Sequence, residues 1–576
     1  MKKYIQKIWK ASPEPNPDKV RSLAEELRVD RVTARLLIKR GIGTFEQAEQ
    51  FFRSDLTRLH DPMLMQDMDK AVTRLSQAIE NGEKILVYGD YDVDGTTAVS
   101  MMYSFLTGLG TNCEYYIPDR YTEGYGFSEG GARYAAESGC GLIITLDCGI
   151  KDKPSIMLAS SLGVDVIVCD HHNVASVPPA CAVLNPKRPD CNYPDKNLSG
   201  CGVGFKLIQA VSDQLGIEEE RVWSLLDFVA ISIGADIVPM VGENRILATY
   251  GLDKLNTLPR RPGFQAMLDN AAFKRKELSI EDVVFILAPR INAAGRISSG
   301  RLAIELMLAE TTEDAIASSK VVEANNQTRR GHDKDITEDA LGLLSLNELH
   351  SDAFTTVVQS ENWHKGVVGI VASRLVENFY KPAIVLVNSD GKLTGSARSI
   401  PGVDLFEALT SCEDLLLKYG GHAMAAGLTL EENKLGDFTE RFEDVVAAML
   451  GHERPVPVLE YEGEISFGEL NAQFFRRLKH FAPFGPDNMK PVFLARKVVN
   501  AGFTKRVGSG QEHLKLHLSQ PHQSTITMDG IGFWMGDWEA SFREGREHDI
   551  LFTLEENEWN NRVSIQLGVK DIRLSQ

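Results

Sequence analysis

Short, continuous runs of apolar residues constrain the fold of this chain more than any other feature. The runs are rich in valine and isoleucine, and stretches with helical spacing, such as TTAVSMMYSFLTGLG, separate them. They are KILVYGD (84–90), GLIITLD (141–147), DVIVCD (165–170) and CAVLNP (181–186). Strands that are apolar on both faces are typical of parallel sheets covered by helices on each side. The sequence therefore predicts an α/β fold with a doubly wound, mostly parallel sheet in residues 81–258.

The remaining regions differ in character. Residues 1–80 and 259–349 space their apolar residues as helices do, and the second region ends in long connecting helices with few turn signals. Residues 350–454 combine strand patterns such as PAIVLVN with helical patterns such as GIVASRLVENF, which predicts a second α/β domain. In residues 455–576, short runs such as HLKLHLS and HDILFTLEE alternate with turns, which predicts an antiparallel sheet or a small barrel.

Composition narrows the class of protein. The 576-residue chain has a formal net charge of −18, which argues against a protein that coats nucleic acid by electrostatics alone. That charge is compatible with an acidic site whose carboxylates are neutralised by bound cations. The eight cysteines form no CxxC pair, so we expect reduced thiols. Because the sequence shows neither a signal peptide nor a membrane-spanning run, we expect a cytoplasmic protein without membrane association.

Acidic residues follow three of the predicted strands. Asp90, Asp147 and Asp170 each come directly after an apolar run. In open parallel sheets, ligands bind beyond the carboxyl ends of the strands. A single aspartate in this position is usually a helix cap or a turn residue. Three at successive strand ends instead predict one acidic crevice.

The crevice holds further acids and two histidines. YGDYDVDG places Asp92 and Asp94 at alternate positions after Asp90, which would point the three side chains the same way if the segment is extended. Asp170 is followed by His171 and His172. So many carboxylates would repel one another unless cations lie among them. Oxygen ligands with one or two imidazoles suit Mn²⁺ or Mg²⁺, and two such cations can promote hydrolysis of a phosphodiester.

These residues resemble the motifs of the DHH phosphoesterase superfamily. YGDYDVDG, TLDCGI, CDHHN and GADIVP correspond in order to its first four motifs. The resemblance implies two divalent cations held by the acids and first histidine of these motifs: Asp90, Asp92, Asp94, Asp147, His171 and Asp236. It implies that catalysis depends most on Asp92, Asp94, Asp147, His171 and His172. Asp170 would orient a histidine rather than bind metal itself.

Further motifs resemble the RecJ branch of this superfamily. PDRYTEGYGFS, APRINAAGRI, NWHKGVVGIVASR, GSARSI and GGHAMAAG occur in order, and PFGPDNMKPVF resembles the start of the C-terminal OB-type domain of this branch. The resemblance implies a DHH domain at 81–258, a DHH-associated (DHHA1) domain at 350–454 and an OB-type domain at 455–576. The implied activity is 5′→3′ degradation of single-stranded DNA to 5′-mononucleotides in recombination and repair.

The resemblance also implies which residues bind the strand. They are Arg120, Tyr125, Arg290, Arg296, His364, Ser396, Arg398 and His422. Arginine forms forked hydrogen bonds to phosphate, and a tyrosine ring stacks on any base. Structural roles remain open: Tyr125 could fill a gap under its loop, Arg290 and Arg296 could pair with carboxylates, and either histidine could be structural.

Two other functions remain open from the sequence. Relatives of this superfamily hydrolyse short oligonucleotides, cyclic dinucleotides or pyrophosphate, although an OB-type domain favours a long polymer. Degenerate relatives act as replication-fork scaffolds, but these are expected to lack acids that are all in place here. For an exonuclease of the implied type, we expect a monomer that works with single-strand-binding protein and a RecQ-type helicase.

Overall fold

The computed structural model describes residues 5–346, 348–389, 391–559 and 562–575. The chain divides into two compact units. The larger unit comprises residues 12–325 and 462–576, and the smaller unit comprises residues 1–11 and 326–461. Within the described ranges, no helix combines the length and apolar character that a membrane span needs.

The N-terminal region is mostly helical, as predicted, but it begins with a strand. Its elements are β1 (Ile8–Ala11), α1 (Pro17–Leu27), α2 (Arg31–Lys39), α3 (Phe45–Phe52) and α4 (Met68–Glu80). The side chains of Asn16, Asp30 and Thr44 cap the first three helices. Strand β1 pairs in parallel with residues 458–461, a partner that no local pattern could reveal. Helices α1–α3 pack with apolar residues of the C-terminal domain in one core.

The predicted doubly wound domain follows. Its elements are β2 (Ile85–Gly89), α5 (Val93–Gly108), β3 (Cys113–Tyr116), α6 (Glu129–Glu137), β4 (Leu142–Leu146), α7 (Lys153–Ser161), β5 (Asp165–Cys169) and β6 (Ala182–Leu184). All the strands are parallel, in the order β3-β2-β4-β5-β6. Apolar side chains form one core on each face of the sheet. The sequence patterns did not predict β3, because this edge strand is only partly buried and lacks an apolar run.

Helices follow from residue 200 to residue 345, through the rest of the first segment of the larger unit and into the smaller unit. They are α8 (Gly200–Leu215), α9 (Glu219–Trp223), α10 (Leu226–Ala235), α11 (Gly242–Asn256), α12 (Pro262–Asn270), α13 (Ile280–Asp282), α14 (Ala288–Ile297), α15 (Arg301–Met307) and α16 (Thr312–Ser345). A π-helical turn, Val283–Leu287, joins α13 to α14. Helix α16 is the long connector that the sequence predicted, and the division between the two units falls within it.

The smaller unit contains the predicted second α/β domain. Its elements are β7 (Thr356–Ser360), α17 (Val368–Phe379), β8 (Ala383–Ser389), β9 (Lys392–Arg398), α18 (Leu405–Thr410), β10 (Lys418–His422), β11 (Ala425–Glu431), α19 (Leu435–Met449) and β12 (Val458–Tyr461). The sheet order is β10-β11-β9-β8-β7, and only the pairing of β7 with β8 is parallel. The motifs GSARSI and GGHAMAAG therefore lie on neighbouring strands.

The C-terminal region forms the predicted small barrel. Its elements are β13 (Gly463–Glu464), α20 (Ala472–Lys479), β14 (Phe493–Asn500), β15 (Lys505–Val507), β16 (His513–Ser519), β17 (Thr527–Gly532), α21 (Glu539–Arg543), β18 (His548–Trp559) and β19 (Arg562–Leu574). Strand β14 pairs with both β18 and β16, which closes the sheet. Strands β17 and β19 are parallel, whereas the other pairs in the closed barrel are antiparallel.

Candidate metal centre and substrate-binding residues

The predicted acidic crevice lies at the carboxyl edge of the parallel sheet. Asp90, Asp147 and Asp170 follow the adjacent strands β2, β4 and β5, and all three are buried. Asp147 has a φ of 59°, in the left-handed region that non-glycine residues rarely adopt. Its N–H donates to the carbonyl of Cys169 at 2.9 Å, which ties the turn to the neighbouring strand. Such strained residues cluster at functional sites.

Asp92 and Asp94 reach the crevice by a different route from the one the sequence suggested. The extended geometry expected for residues 90–94 is wrong, because the chain turns into α5 immediately after Asp92. The carboxylate of Asp92 caps this helix by accepting from the N–H of Gly95 at 3.1 Å. Gly95 is needed here, since a Cβ atom would lie 2.4 Å from the carbonyl oxygen of Asp90. The tight turn brings the acids together.

Asp94 is held by residues that the sequence analysis did not identify. Its Oδ2 accepts from the N–H of Gly200 at 2.7 Å, and its Oδ1 accepts from the N–H of Cys201 at 2.8 Å and from Oγ of Ser232 at 2.7 Å. The two amides belong to the first turn of α8, whose N-terminus favours a negative charge. The available signal was Ser199-Gly200, a serine cap followed by a small residue at a helix start.

His171 faces the carboxylates with one ring nitrogen. Its Nδ1–H donates to the carbonyl of Leu198 at 3.1 Å, which directs Nε2 into the crevice. Nε2 lies 3.2 Å from Oδ1 of Asp147, 3.6 Å from Oδ2 of Asp236 and 3.8 Å from Oδ2 of Asp94. A backbone partner of this kind fixes the tautomer of many metal-binding histidines.

The crevice contains three overlapping groups of possible metal ligands. Within each group, one ligand atom per residue lies within 4.8 Å of the others. The groups are Asp90 with Asp92 and Asp147, Asp94 with His171 and Asp236, and Asp147 with His171 and His172. All six metal ligands predicted from the sequence therefore converge, and Asp147 and His171 each belong to two groups.

The chemistry of these residues fits divalent cations. Both carboxylate oxygens of Asp90 and Oδ1 of Asp147 are buried without a hydrogen bond of ordinary geometry to any described residue. Burial and the neighbouring carboxylates raise the pKa of Asp90, Asp92 and Asp147, although the N–H groups of Tyr91 and Gly126 oppose this rise at Asp90. Bound cations would satisfy the oxygens and keep the carboxylates ionised.

Asp236 shows the same electrostatic effect at the edge of the crevice. Its side chain remains 31% exposed to solvent. Burial, followed by the charges of Asp94 and Asp92, nevertheless raises its pKa to about 8. A carboxyl group that neighbouring acids oppose in this way is expected to ionise fully only when a cation joins it.

His172 forms a hydrogen-bonded chain with Asp170 and Tyr125. Its Nδ1 donates to Oδ1 of Asp170 at 2.7 Å, and its Nε2 lies 2.8 Å from the hydroxyl oxygen of Tyr125. Asp170 also accepts from the N–H groups of Ile150, His171 and His172. Burial alone would raise the pKa of Asp170, but His172 outweighs it and lowers this pKa to about 2. Asp170 is therefore placed to orient His172.

An arginine and tyrosine rim lies beside Asp90. The guanidinium of Arg120 lies 4.7 Å from the ring centroid of Tyr91, and its charge partly opposes the rise that burial causes in the pKa of Asp90. Tyr125 is 52% exposed and meets Tyr91 edge to face. Arg296 lies near enough to affect the pKa of Tyr91. Arg120, Tyr125 and Arg296 are thus brought to the mouth of the acidic crevice.

Arg290 is placed differently. Its Nε donates to Oε2 of Glu323 at 2.7 Å, and its Nη1 donates to the carbonyl of Ile286 at 2.8 Å. This ion pair is the structural role that the sequence left open for Arg290. A contact with the substrate strand stays a prediction for this residue.

The other predicted strand-binding residues lie in the smaller unit. In the sheet register, Ser396 is opposite Gly427, and Ala425 is opposite both Arg398 and His422, so Ser396, Arg398 and His422 share one face. Gly369, in the first turn of α17, lies against this face, because a Cβ there would be 2.9 Å from Nη2 of Arg398 and 3.4 Å from Oγ of Ser396. Close polar groups at a helix start favour an anion.

His364 lies in the loop before α17. Its Nδ1 accepts from the N–H of Gly366 at 3.1 Å, and its ring stacks on His332 with 5.0 Å between centroids. Burial, followed by the charge of His332, lowers the pKa of His364. These contacts hold the ring in place, and its role toward a phosphate stays a prediction.

Family models match three regions of the chain. The DHH family N-terminal domain matches residues 84–233, the DHHA1 domain matches residues 352–448, and the RecJ OB domain matches residues 461–571. These matches confirm the fold class predicted from the sequence.

Curated relatives match almost the whole chain. Single-stranded-DNA-specific exonuclease RecJ of Bacillus subtilis is 37% identical over 565 residues, which cover 98% of this chain and 70% of that protein. The Escherichia coli protein of the same name is 33% identical over 562 residues, covering 93% of this chain and 95% of that protein.

Solved structures of RecJ are also similar. The Thermus thermophilus protein in complex with Mn²⁺ aligns with a TM-score of 0.84 and 28% identity, over 99% of this chain and 80% of that one. Its Mg²⁺ complex aligns with a TM-score of 0.78 and 27% identity, over 99% and 79%. These ions agree with the metals that the acidic crevice predicted.

Proposed function

Because the chain belongs to the RecJ family of single-stranded-DNA-specific exonucleases, we propose that it removes nucleotides from the 5′ end of single-stranded DNA and releases 5′-mononucleotides. The observation that carries this proposal is the convergence of the buried acids and His171 at one sheet edge. Cations would satisfy the buried oxygens of Asp90 and Asp147 that lack a hydrogen bond of ordinary geometry, and phosphodiesters are substrates that paired cations activate.

Two of the three ligand groups share no residue, and we assign one cation to each. Asp90, Asp92 and Asp147 would hold one Mn²⁺ or Mg²⁺, and Asp94, His171 and Asp236 would hold the other. When bound, the two cations supply Lewis-acid activation of a water molecule and neutralise charge on the phosphoryl oxygens. The amides of α8 keep Asp94 in place during this chemistry, because they bind its carboxylate directly.

His172 is the residue best placed to move a proton. Burial lowers its pKa, but the hydrogen bond and charge of Asp170 outweigh burial and raise it. With Nδ1 fixed by Asp170, Nε2 is the position that exchanges a proton, and Tyr125 contacts that atom now. We propose that Nε2 protonates the departing 3′ oxygen.

Recognition of the 5′ end is assigned to the cationic and polar groups described above. Arg120, at the mouth of the crevice, offers a guanidinium to a phosphate of the strand. Within the smaller unit, Ser396, Arg398 and His422 share one face and offer donors of the kind that a terminal phosphate needs. Tyr125, which is 52% exposed, would offer its ring to a base.

The closed barrel supports a long polymer as the substrate. On β16, the ring of His517 stacks on Phe503 from the loop before β15, with 5.4 Å between ring centroids. Trp534, 57% exposed, lies edge to face with His513, and Lys515 is exposed on β16 between the two histidines. Aromatic rings beside basic groups bind single strands without reading their sequence.

The decisive test is digestion of a long 5′-phosphorylated strand labelled at one end or the other. We expect mononucleotides from the 5′ end with Mn²⁺ or Mg²⁺, none with chelator, and no digestion of a blunt duplex. A dinucleotide hydrolysed much faster than the long strand would instead indicate an oligonucleotide hydrolase.

The biological setting is part of the proposal. A 5′→3′ exonuclease specific for single strands fits recombination and repair in the cytoplasm, where a RecQ-type helicase would expose the strand. Single-strand-binding protein would be a further partner, and the enzyme would act as a monomer. Light scattering of the pure protein, and pull-down with each purified partner, test these points.

A further inference from the structure

One buried arginine of the larger unit is enclosed by backbone carbonyls. Arg245, in α11, is 6% exposed, and among the described residues no carboxylate pairs with it. Its guanidinium donates to carbonyl oxygens of Phe51, His480, Phe481, Ala482 and Pro483 at 2.9–3.4 Å. Four of these carbonyls belong to the segment His480–Met489, which we name the carbonyl loop. It precedes the first long strand of the barrel, β14.

The carbonyl loop is further fixed from within and from the N-terminal region. Asn488, 1% exposed, donates from Nδ2 to the carbonyls of Phe481 and Pro483 at 2.8 and 2.9 Å. Arg40 donates to Oδ1 of Asn488 and to the carbonyl of Met489, both at 2.8 Å. The loop is therefore a rigid element rather than a linker.

This rigid loop contacts the turn that carries Asp236. The N–H of Met240 donates to the carbonyl of Pro486 at 2.8 Å. Gly485 lies against the Met240 side chain so closely that a Cβ would be 3.0 Å from Cβ of Met240. Asn244, one residue before Arg245, donates to the carbonyl of Pro239 at 3.1 Å. The turn is thus held on both sides.

The position of Asp236 depends on the backbone of this turn. Among the described residues, none donates a hydrogen bond to its carboxylate, whereas Asp94 receives three such bonds. Its neighbour Ile237 has a φ of 57°, a strained conformation for a β-branched residue. Such a conformation persists only where the surroundings hold it.

We propose that the carbonyl loop positions Asp236, so that the C-terminal domain helps to build the metal centre as well as to hold DNA. The inference rests on the proposed function, in which Asp236 binds a cation. Arg245, Gly485 and Met240 are positioning residues, since they act on the cation only through the backbone of the Asp236 turn.

The test uses two variants of the full chain. Arg245→Lys keeps the charge but replaces a planar fork by a compact ammonium that cannot reach all five carbonyls. Gly485→Ala is milder and presses on Met240 by a few tenths of an ångström. Mn²⁺ binding is measured by calorimetry without DNA, and kcat and KM are measured on a single strand.

Arg477→Lys is the matched control. Arg477 donates to Oδ2 of Asp30 at 2.8 Å and so also links the C-terminal domain to the N-terminal helices, but it does not touch the Asp236 turn. We expect Arg245→Lys to weaken Mn²⁺ binding and lower kcat by about 10-fold or more, as supporting residues of metal sites do, with KM for DNA unchanged. Gly485→Ala should change both in the same direction by less, and Arg477→Lys should change neither.

The outcomes separate the inference from the function. Folded Arg245→Lys and Gly485→Ala proteins with wild-type Mn²⁺ affinity and kcat would overturn the inference. If Arg245→Lys does not fold, Gly485→Ala decides alone. Wild-type protein that binds no Mn²⁺ would instead reject the proposed function itself.

Discussion

Gly200 provides a sharp test of how the metal centre is built. In the structure, a Cβ on Gly200 would lie 2.6 Å from Cβ of Asp147 and 2.8 Å from its Cα and its Oδ1. Non-bonded carbon atoms prefer about 3.5–4.0 Å, so Gly200→Ala must separate Asp147 from the start of α8 by about 1 Å. The backbone of Asp147 is already in the left-handed region, directly after the central strand β4.

The size of the effect follows from this displacement. Overpacking of this kind costs about 1–3 kcal/mol of folding stability. A misplacement of about 1 Å at a catalytic group can reduce the rate by about 100-fold. We therefore expect Gly200→Ala to reduce exonuclease activity by about 100-fold and to weaken Mn²⁺ binding. The variant should still fold and should show a cooperative thermal unfolding transition.

Gly204→Ala is the matched control for this experiment. Gly204 lies one turn further along α8, and its Cβ would meet Cδ2 of Leu146 at 2.7 Å, an equally close contact with the end of a core side chain. Both variants should melt at lower temperature, but only Gly200→Ala should lose Mn²⁺ binding in calorimetry. Equal Mn²⁺ affinity in the two variants would refute the reasoning.

Other parts of the site can be tested separately. Asp147→Ala should abolish cleavage while leaving strand binding measurable in EDTA, and substantial residual nuclease activity would count against the metal centre. Tyr125→Phe removes the hydroxyl that contacts His172 but keeps the ring, so kcat should fall about fivefold, equivalent to one hydrogen bond of about 1 kcal/mol, and an unchanged kcat would leave base stacking as the only role of Tyr125. Arg398→Ala should mainly weaken the preference for a 5′-phosphorylated end, measured against a 5′-hydroxyl strand; an unchanged preference would place the anchor elsewhere. Burial lowers the pKa of His548 to about 4 from an ordinary 6.5, so the unfolded chain binds the extra proton between these values and the stability of the barrel should fall as pH drops from 6.5 to 4. Thermal melts at several pH values check this, and His548→Gln should flatten the dependence.

Much of the fold was predictable because its signals are local. The apolar runs ending in Asp90, Asp147 and Asp170 predicted the adjacent parallel strands, because a strand that is buried on both faces consists of a continuous run of apolar residues. The connector helix and the barrel were equally visible in periodicity. Edge strand β3 was not predicted from the sequence, because an edge strand needs no continuous apolar run.

The convergence of the acids was predictable from topology, but their individual geometry was not. The carboxyl ends of neighbouring parallel strands must meet at one edge, which placed Asp90 and Asp147 together before any coordinates. Residues 90–94 were expected to be extended, but the chain begins helix α5 directly after Asp92. This is possible because Gly95 has no side chain and its backbone can approach Asp90 closely.

The sequence by itself determined the sheet, the edge at which the acids gather and the residue types suited to divalent cations, because each depends on neighbours within a few positions. Only the tertiary structure decided which distant groups hold those acids in place. The amides of α8 on Asp94, the hydroxyl of Tyr125 on His172, and the carbonyl loop behind the Asp236 turn join residues at least 47 positions apart in the chain. Contacts across such separations follow from the packing of whole elements, and no short stretch of sequence encodes them.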